Sequence, residues 1–335
     1  MVGKGMHSVA DDTAAECRVL FRDPEDGKTM GIMGRVFAGM RYLGALDTPG
    51  RRLNVYPDDV FLVSYPKSGN TWVRLLLANL THPASHVTLQ GADRIIPSVD
   101  GQSRKYFESM PRPRIIKSHY PFCQTYKRVI YVVRDPRDVV VSQYHFQIKR
   151  RVIEESLPID EFVPRFLSGE VCLYGSWGEN VASWLGARLG DPNFLMVRYE
   201  DLLHRTPSEV TRIADHINLR ATPEMLRLAI ERSSAKRMRE MERQEGTVWA
   251  STKDTRQDLS FVRAATDGQW RQKLSRASVA KIENAWGELM TVLGYEQAVE
   301  FEAEVKQESY MSSTLLPALL LASTRKARPA MQFGN

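Results

Sequence analysis

The sequence predicts an α/β fold, a single domain in which a central parallel sheet is flanked by helices. Four short apolar segments alternate with longer stretches of helical periodicity along the 335-residue chain. The apolar segments are unbroken, which is typical of parallel strands covered on both faces. A loop of small and hydroxyl residues joins the first strand to a helix, as in a P-loop-like phosphate-binding unit. Ligands of such sheets bind beyond the carboxyl ends of the strands, so the site is expected at that edge.

The positions of the strands and helices are predicted from the length and spacing of the apolar runs. Short runs predict strands, at 60–63, 114–117, 128–133 and 194–197. Longer runs with apolar residues three and four positions apart predict helices, at 72–80, 137–149, 159–167, 178–189, 208–216, 223–233 and 278–293, with a further one near 33–43. With no internal repeat, three regions are expected: an N-terminal, partly helical extension (1–55), one domain (56–297) and a C-terminal tail (298–335).

Composition and charge narrow the class of partner. Hydrophobic residues make up 43% of the chain and charged residues 26%, which is sufficient for a large buried core. The 46 Lys and Arg residues are interspersed with 40 Asp and Glu residues and give a formal net charge of +6. A nucleic-acid-binding arm is therefore not expected, whereas a small anionic ligand fits the mild basic excess.

Cysteine usage and apolar runs predict a cytoplasmic protein. Cys17, Cys123 and Cys172 are odd in number and lack metal-ligand spacing, which favours free thiols in a reducing compartment. The first fifty residues hold several acidic side chains and no continuous apolar run, so a secretory signal is not expected. The apolar run at 315–322 is much shorter than the roughly 20 residues that cross a bilayer, so stable membrane insertion is not expected.

The loop after the first strand carries the strongest functional signal. Over residues 65–72 it reads Tyr-Pro-Lys-Ser-Gly-Asn-Thr-Trp. Pro66 ends the strand, and Gly69 with Asn70 allows a tight turn into the helix. The unpaired N–H groups and the dipole of a helix start attract an anion, so a phosphate is the expected guest. Three side chains add one cation and two hydroxyl groups there: Lys67, Ser68 and Thr71.

This loop differs from the Walker A motif, in which the lysine follows the second glycine of G-x-x-x-x-G-K-[ST]. Here Lys67 precedes Gly69, and the upstream glycine is missing. A kinase or NTPase that uses ATP and Mg²⁺ remains an alternative, because the same strand, loop and helix serve those enzymes. Its Mg²⁺-binding carboxylate would be Asp135, the nearest candidate at a strand end.

Two further segments place reactive or cationic side chains after predicted strands. His119 follows the second strand, two residues after Lys117. An imidazole of ordinary pKa can accept a proton from an alcohol or phenol at neutral pH. Arg134 ends the third strand, and Ser142 lies inside the helix that follows. Arginine binds phosphate through two parallel hydrogen bonds, so this segment is a second candidate anion site.

A purely structural interpretation of the third segment is also available. Asp135 would cap the helix, Pro136 would occupy its first position, and Arg137 would be exposed. That interpretation explains the Asp-Pro pair, but it does not explain an arginine placed directly after a buried apolar run.

Together these segments resemble, in order and spacing, the cytosolic-type sulfotransferase family, which transfers a sulfonate from 3'-phosphoadenosine 5'-phosphosulfate (PAPS). The resemblance covers about residues 58–297 and extends to three later segments, at 199–202, 233–238 and 261–270. It implies that the donor contacts Lys67, Ser68, Gly69, Asn70, Thr71, Trp72, Arg134, Ser142, Tyr199, Ser233, Ser234 and Arg263.

The resemblance also implies a mechanism, in which the acceptor oxygen attacks sulfur in line and 3',5'-adenosine bisphosphate (PAP) leaves. His119 removes the acceptor proton, Lys67 stabilises the leaving phosphate, and Lys117 neutralises the sulfonyl oxygens. Ser142 and two arginines hold the 3'-phosphate. The catalytic candidates are therefore His119, Lys67, Lys117 and Ser142, and no metal is expected.

Two departures from the family pattern bear on these expectations. In the segment at 261–270 Arg263 is kept, but Ala264 and Ala265 stand where the family usually has Lys and Gly, so weaker donor binding is expected. A non-catalytic nucleotide-binding relative is therefore a further alternative. The family's dimer signature is not matched, which leaves a homodimer possible but unsupported.

The acceptor is predicted only as a hydroxyl-bearing small molecule, phenol, lipid or carbohydrate. Its pocket is expected to come from the variable segments 82–112, 147–176 and 239–260. Candidate apolar lining residues are Phe146, Tyr174, Met238, Met241 and Trp249. Candidate sugar-binding residues are Gln102, Arg104 and Lys105.

Overall fold

A single parallel sheet organises residues 53–298, the part of the chain that the computed structural model describes. Its strands are β1 (Val60–Ser64), β2 (Ile115–Ser118), β3 (Arg128–Val133) and β4 (Phe194–Arg198), in the order β2-β1-β3-β4. All neighbouring strands pair in parallel. The predicted strands and their parallel arrangement are confirmed, and the observed ends differ by no more than one residue.

Both faces of the sheet are covered because apolar residues occupy both sides of each central strand. In β1, Phe61 and Val63 pack into one hydrophobic cluster, and Leu62 packs into the other. In β3, Tyr131 joins the first cluster and Ile130 the second. A strand that is apolar on both faces cannot lie at a solvated surface, so helices pack on both sides.

The helices of the described residues are α1 (Asn70–Thr81), α2 (Leu89–Ile95), α3 (Arg104–Glu108), α4 (Pro136–Lys149), α5 (Ile159–Leu167), α6 (Trp177–Arg188), α7 (Tyr199–His204), α8 (Thr206–His216), α9 (Pro223–Arg232), α10 (Ala235–Glu245), α11 (Trp270–Lys273) and α12 (Arg276–Val292). Each predicted helix within residues 53–298 is present, with ends shifted by at most two residues. Five of the observed helices, α2, α3, α7, α10 and α11, carried no clear periodic signal.

Helix α10 was missed because most of its residues are charged and it buries only Met238. The helix begins at Ser234, whose side chain accepts a hydrogen bond from the Arg237 N–H. It occupies the start of segment 239–260, which was expected to be a variable loop. Local capping and tertiary contacts, rather than an apolar stripe, hold this helix in place.

The register brings the carboxyl ends of the strands together. Val63 of β1 lies beside Ser118 of β2. Val133 of β3 lies beside Arg198 of β4, which ends at the same edge. The residues that follow each strand therefore meet along one edge of the sheet, as the sequence predicts.

Some expectations fall outside the described residues, namely the helix near 33–43, Cys17 and the apolar run at 315–322. Within residues 53–298, no helix is long and apolar enough to cross a membrane.

Candidate active site

The loop between β1 and α1 forms a tight turn at the carboxyl end of β1, along the edge of the sheet. Lys67 and Gly69 both have positive φ angles, 68° and 101°. Helix α1 then begins at Asn70, so the first-turn N–H groups face the loop. A Cβ atom on Gly69 would lie 2.7 Å from Cδ2 of Tyr199. Glycine is required at this position by both the backbone angle and the close approach of the ring.

Two buried polar atoms in this loop have no protein partner. Ser68 is fully buried, and neither its Oγ nor Oδ1 of Asn70 finds a hydrogen-bond partner within residues 53–298. The amide nitrogen of Asn70 donates to Ser64 Oγ at 3.1 Å, which fixes the side chain. Buried hydroxyl groups are nearly always satisfied in folded proteins, so these atoms indicate a position for a ligand.

The ammonium group of Lys67 lies between two aromatic rings, 4.0 Å from the centroid of Phe146 and 4.0 Å from that of Phe261. Burial and, next, the charges of Arg134 and Arg263 together lower the pKa of Lys67 to about 7. Three cations thus lie near one another, and an anion bound among them would relieve their repulsion.

His119 lies directly beside the start of this loop. Its Nδ1 is 2.7 Å from the backbone carbonyl oxygen of Ser64, the last residue of β1. Because a carbonyl oxygen only accepts hydrogen bonds, Nδ1 carries the proton and Nε2 keeps a free lone pair. Burial, and next the charge of Lys117, hold the pKa of His119 well below its usual value. The imidazole is therefore neutral at pH 7.

Lys117 stands on β2, two residues before His119, and is a second cation at this edge. Burial lowers its pKa to about 8, with a further contribution from Arg74, while Asp93 and Asp100 oppose the shift.

Arg134 follows β3 and connects it to the closing segment, residues 261–270. One guanidinium nitrogen donates to the carbonyl oxygen of Thr266 at 2.9 Å. The guanidinium carbon lies 4.2 Å from the ring centroid of Tyr199. Nε is buried and has no hydrogen-bond partner within residues 53–298. Arg134 therefore keeps an unused donor beside the cation of Arg263, whose pKa is lowered by burial and by Arg134 itself.

The structural interpretation of the helix start after β3 is correct in part. The predicted cap at Asp135 is confirmed, whereas the predicted exposure of Arg137 is wrong. Asp135 caps α4, and Pro136 occupies its first turn. Arg137 is only 2% exposed and forms ion pairs with Asp135 and Glu283. It is buried because its guanidinium stacks on the ring of Trp270, a contact between distant parts of the chain.

The other residues predicted to contact the sulfonate donor lie on α4, on α7 and between α9 and α10. Tyr199 opens α7 after β4, and its ring meets that of Trp72 edge to face with centroids 5.8 Å apart. Ser142 lies within α4 and is partly exposed. Ser233 is fully buried and accepts a hydrogen bond from Asn79 of α1, and Ser234 caps α10.

Several residues at this edge were not predicted. The carboxylate of Asp100 accepts hydrogen bonds from the hydroxyls of Tyr120 and Tyr174, both at 2.7 Å. The ring of Tyr174 lies 5.3 Å from that of His119, so this group borders the imidazole. Asp138 accepts hydrogen bonds from the N–H groups of Gly268 and Trp270. No local sequence signal marks either carboxylate, because the hydrogen-bond partners of each lie far away along the chain.

Comparisons with known proteins give a consistent picture. The sulfotransferase domain family matches residues 57–294. A 3-beta-hydroxysteroid sulfotransferase of Cavia porcellus is 31% identical over 247 residues, covering 70% of this chain and 85% of that protein. Sulfotransferase 1B1 of Canis lupus familiaris is 28% identical over 243 residues, covering 68% of this chain and 81% of that protein.

Solved structures share the fold. Retinol dehydratase in complex with androsterone and PAP has a TM-score of 0.62 at 19% identity, covering 78% of this chain and 88% of that chain. Mouse sulfotransferase SULT7A1 in complex with PAP has a TM-score of 0.57 at 22% identity, covering 76% of this chain and 90% of that chain.

Proposed function

This chain belongs to the sulfotransferase family, and we propose that it transfers a sulfonate group from PAPS to a hydroxyl group of a small organic acceptor with His119 as the general base. The observation that carries the proposal is the 2.7 Å hydrogen bond from His119 Nδ1 to the carbonyl oxygen of Ser64. It fixes the tautomer with a free Nε2, at the residue from which the Lys67 loop begins.

The proposed reaction needs a base, an in-line nucleophile and a stabilised leaving group. The acceptor oxygen forms a bond to the sulfur of PAPS while the bond between sulfur and the bridging phosphate oxygen breaks. The acceptor proton passes to Nε2 of His119, and PAP leaves with the electron pair of the broken bond. Lys67 and the N–H groups at the start of α1 stabilise the charge on that bridging oxygen, and Lys117 stabilises the sulfonyl oxygens.

Buried hydrogen-bonding atoms that are unsatisfied support the binding of PAPS. Ser68 Oγ near the Lys67 loop and Nε of Arg134 near the closing segment both lack partners within residues 53–298. PAPS carries two separate anionic groups, and we assign its 5'-phosphosulfate to the Lys67 loop and its 3'-phosphate to Arg134. Arg263 lies close enough to Arg134 to supply a second cation for the 3'-phosphate, and we assign Ser142 of α4 to the same group.

An apolar or aromatic acceptor fits the surroundings of His119. The side chains named around it and Lys67 are aromatic, namely Tyr174, Phe146 and Phe261. A relative named for 3-beta-hydroxysteroids is 31% identical to this chain. We therefore propose hydroxysteroids and phenols as the first acceptors to test.

The kinase alternative requires Asp135 as a ligand of Mg²⁺. Its carboxylate instead forms an ion pair with Arg137 and caps α4. A carboxylate engaged in this way is a poor ligand for a cation that demands free oxygen donors.

The experiment that tests the function is transfer of labelled sulfonate. The purified protein is incubated with ³⁵S-labelled PAPS and a panel containing a hydroxysteroid, a simple phenol, a long-chain alcohol and a sugar. We expect label in the hydroxysteroid or phenol product without added metal. Binding of PAP by calorimetry without any transfer would favour the non-catalytic alternative. Transfer of phosphate from ATP with Mg²⁺ would contradict the proposal.

A further inference from the structure

We propose that Arg239 and Glu242, both on α10, are positioning residues that hold the closing segment so that Arg263 can bind the 3'-phosphate of the donor. The inference rests on the proposed function, because that function supplies the 3'-phosphate. Neither side chain needs to touch the donor itself: both act on the backbone around Arg263.

Arg239 binds the carbonyl oxygens of three consecutive residues at the start of the closing segment. Nε donates to Val262 at 3.3 Å and to Arg263 at 3.2 Å. One terminal nitrogen donates to Arg263 at 2.6 Å and to Ala264 at 3.1 Å. A planar guanidinium that engages consecutive carbonyls restrains the direction of the chain as well as its distance.

Glu242 binds the same stretch through its N–H groups. Its two carboxylate oxygens accept from the backbone of Phe261 and of Val262, the second at 2.9 Å. Lys149 of α4 lies 3.8 Å from this carboxylate and donates to the carbonyl oxygens of Arg256 and Leu259. The stretch before Arg263 is thus held by side chains from two helices.

The held stretch carries two groups that face the donor site. Phe261 lies 4.0 Å from the ammonium of Lys67, and Arg263 lies two residues further. The family's usual Lys and Gly are absent at Ala264 and Ala265, so Arg263 is the remaining cation of that pattern. Its placement therefore has a larger share in recognition of the 3'-phosphate than it would have beside a lysine at position 264.

The experiment compares binding of PAP with binding of 5'-AMP, which lacks the 3'-phosphate, by calorimetry. The variants are Arg239→Ala and Glu242→Gln, the second having nearly the same size as glutamate but only one accepting oxygen. We expect each to weaken PAP binding about tenfold, or about 1.4 kcal/mol, and AMP binding less than about twofold. A general loss of folding would weaken both ligands alike, so the ratio of the two dissociation constants separates positioning from stability.

Matched controls lie on the same helix. Arg237 and Glu240 form a surface ion pair on α10, so Arg237→Ala and Glu240→Gln repeat the two chemical changes away from the closing segment. Both should leave the PAP-to-AMP ratio unchanged. In the double variant Arg239→Ala/Arg263→Ala, the effect of Arg239→Ala on the ratio should largely disappear, because the group that it positions is gone.

Hydrogen exchange provides a readout that needs no ligand. The N–H groups of Phe261 and Val262 should exchange faster in Glu242→Gln than in Glu240→Gln. Unchanged exchange together with an unchanged PAP-to-AMP ratio would overturn the positioning role. A wild-type protein that binds PAP no better than AMP would instead overturn the proposed function, whatever the exchange rates show.

Discussion

The two sides of the candidate donor site are built in different ways. On the strand side, Lys67 and His119 follow β1 and β2 directly, and the parallel register brings them together. On the opposite side, the closing segment is held by side chains from distant elements, with Asp138 of α4 bound to its backbone N–H groups. The first side depends on backbone pairing and the second on individual side chains. Loss of His119 should therefore reduce turnover, whereas loosening of the closing segment should reduce donor affinity.

The sharpest test of this contrast is His119→Ala on the strand side. We expect turnover to fall by about 10² or more, since general-base catalysis typically contributes 10²–10⁴-fold. PAP affinity should stay within about twofold, because the proposed partner of the imidazole is the acceptor hydroxyl and not the nucleotide. Steady-state kinetics and PAP calorimetry measure the two quantities. A variant that keeps more than about a tenth of the wild-type turnover would remove His119 as the base.

A second test on the strand side changes the backbone of the Lys67 loop by the substitution Gly69→Ala. The added Cβ meets Tyr199 at 2.7 Å in a residue with φ of 101°, so we expect unfolding stability to fall by about 2 kcal/mol. PAP binding should weaken as well, because the loop must shift. Urea denaturation and calorimetry measure both effects.

Gly190→Ala is the matched control for that substitution. Gly190 also has a positive φ, 87°, but a Cβ there would meet no atom within 4 Å. It should lose only about 1 kcal/mol and keep normal PAP binding. Equal losses for the two variants would show that backbone strain alone, and not contact with Tyr199, sets the requirement at Gly69.

The pH dependence of PAP binding probes the coupling between the two sides. The pKa of Lys67 is lowered to about 7 without ligand, and an anionic nucleotide favours the protonated form, so binding takes up a proton above that pH. Affinity should therefore fall as the pH rises through about 7, by at most about tenfold per unit for one proton. Calorimetry between pH 6.5 and 8.5, in buffers of different ionisation enthalpy, measures both the affinity and the proton uptake.

The variant Arg263→Ala tests the cause of that pH dependence, because the charge of Arg263 contributes to the low pKa of Lys67. Its removal should shift the pH dependence toward higher pH while weakening PAP binding overall. A pH profile that is flat in the wild-type protein would contradict the assignment of Lys67 to the donor site.

The smallest effect is expected on the closing segment, from Ala265→Gly. Ala265 has φ of 55°, an angle that glycine adopts without strain, and the family usually has glycine there. We expect a change in stability of less than about 1 kcal/mol, because relief of strain is offset by the greater freedom of glycine in the unfolded chain. Thermal unfolding and PAP calorimetry measure the change.

Ala264→Gly serves as the control, since Ala264 is not among the described residues with positive φ. That substitution should only destabilise. Equal destabilisation by Ala265→Gly and Ala264→Gly would show that the positive φ angle of Ala265 does not strain the backbone measurably.

The candidate site was predictable from sequence where local pattern and sheet geometry suffice. The order of strands and loops along the chain places the Lys67 loop, His119 and Arg134 at strand ends, and parallel strands end at a common edge. Helix α10 and the carboxylates of Asp100 and Asp138 gave no such signal. The hydrogen-bond partners of the two carboxylates lie 20 or more residues away along the chain, as between Asp100 and Tyr120 or between Asp138 and Gly268.

The sequence alone therefore determined the sheet, the strand–loop–helix unit around Lys67 and the resemblance to the family, since apolar runs and short motifs act over a few neighbouring residues. Only the tertiary structure decided the tautomer of His119, the aromatic surroundings of Lys67, the burial of Arg137 and the hydrogen bonds that hold the closing segment. Each of these depends on side chains that meet across the fold, and the strength of such a contact is set by distance, burial and orientation, which no local pattern records.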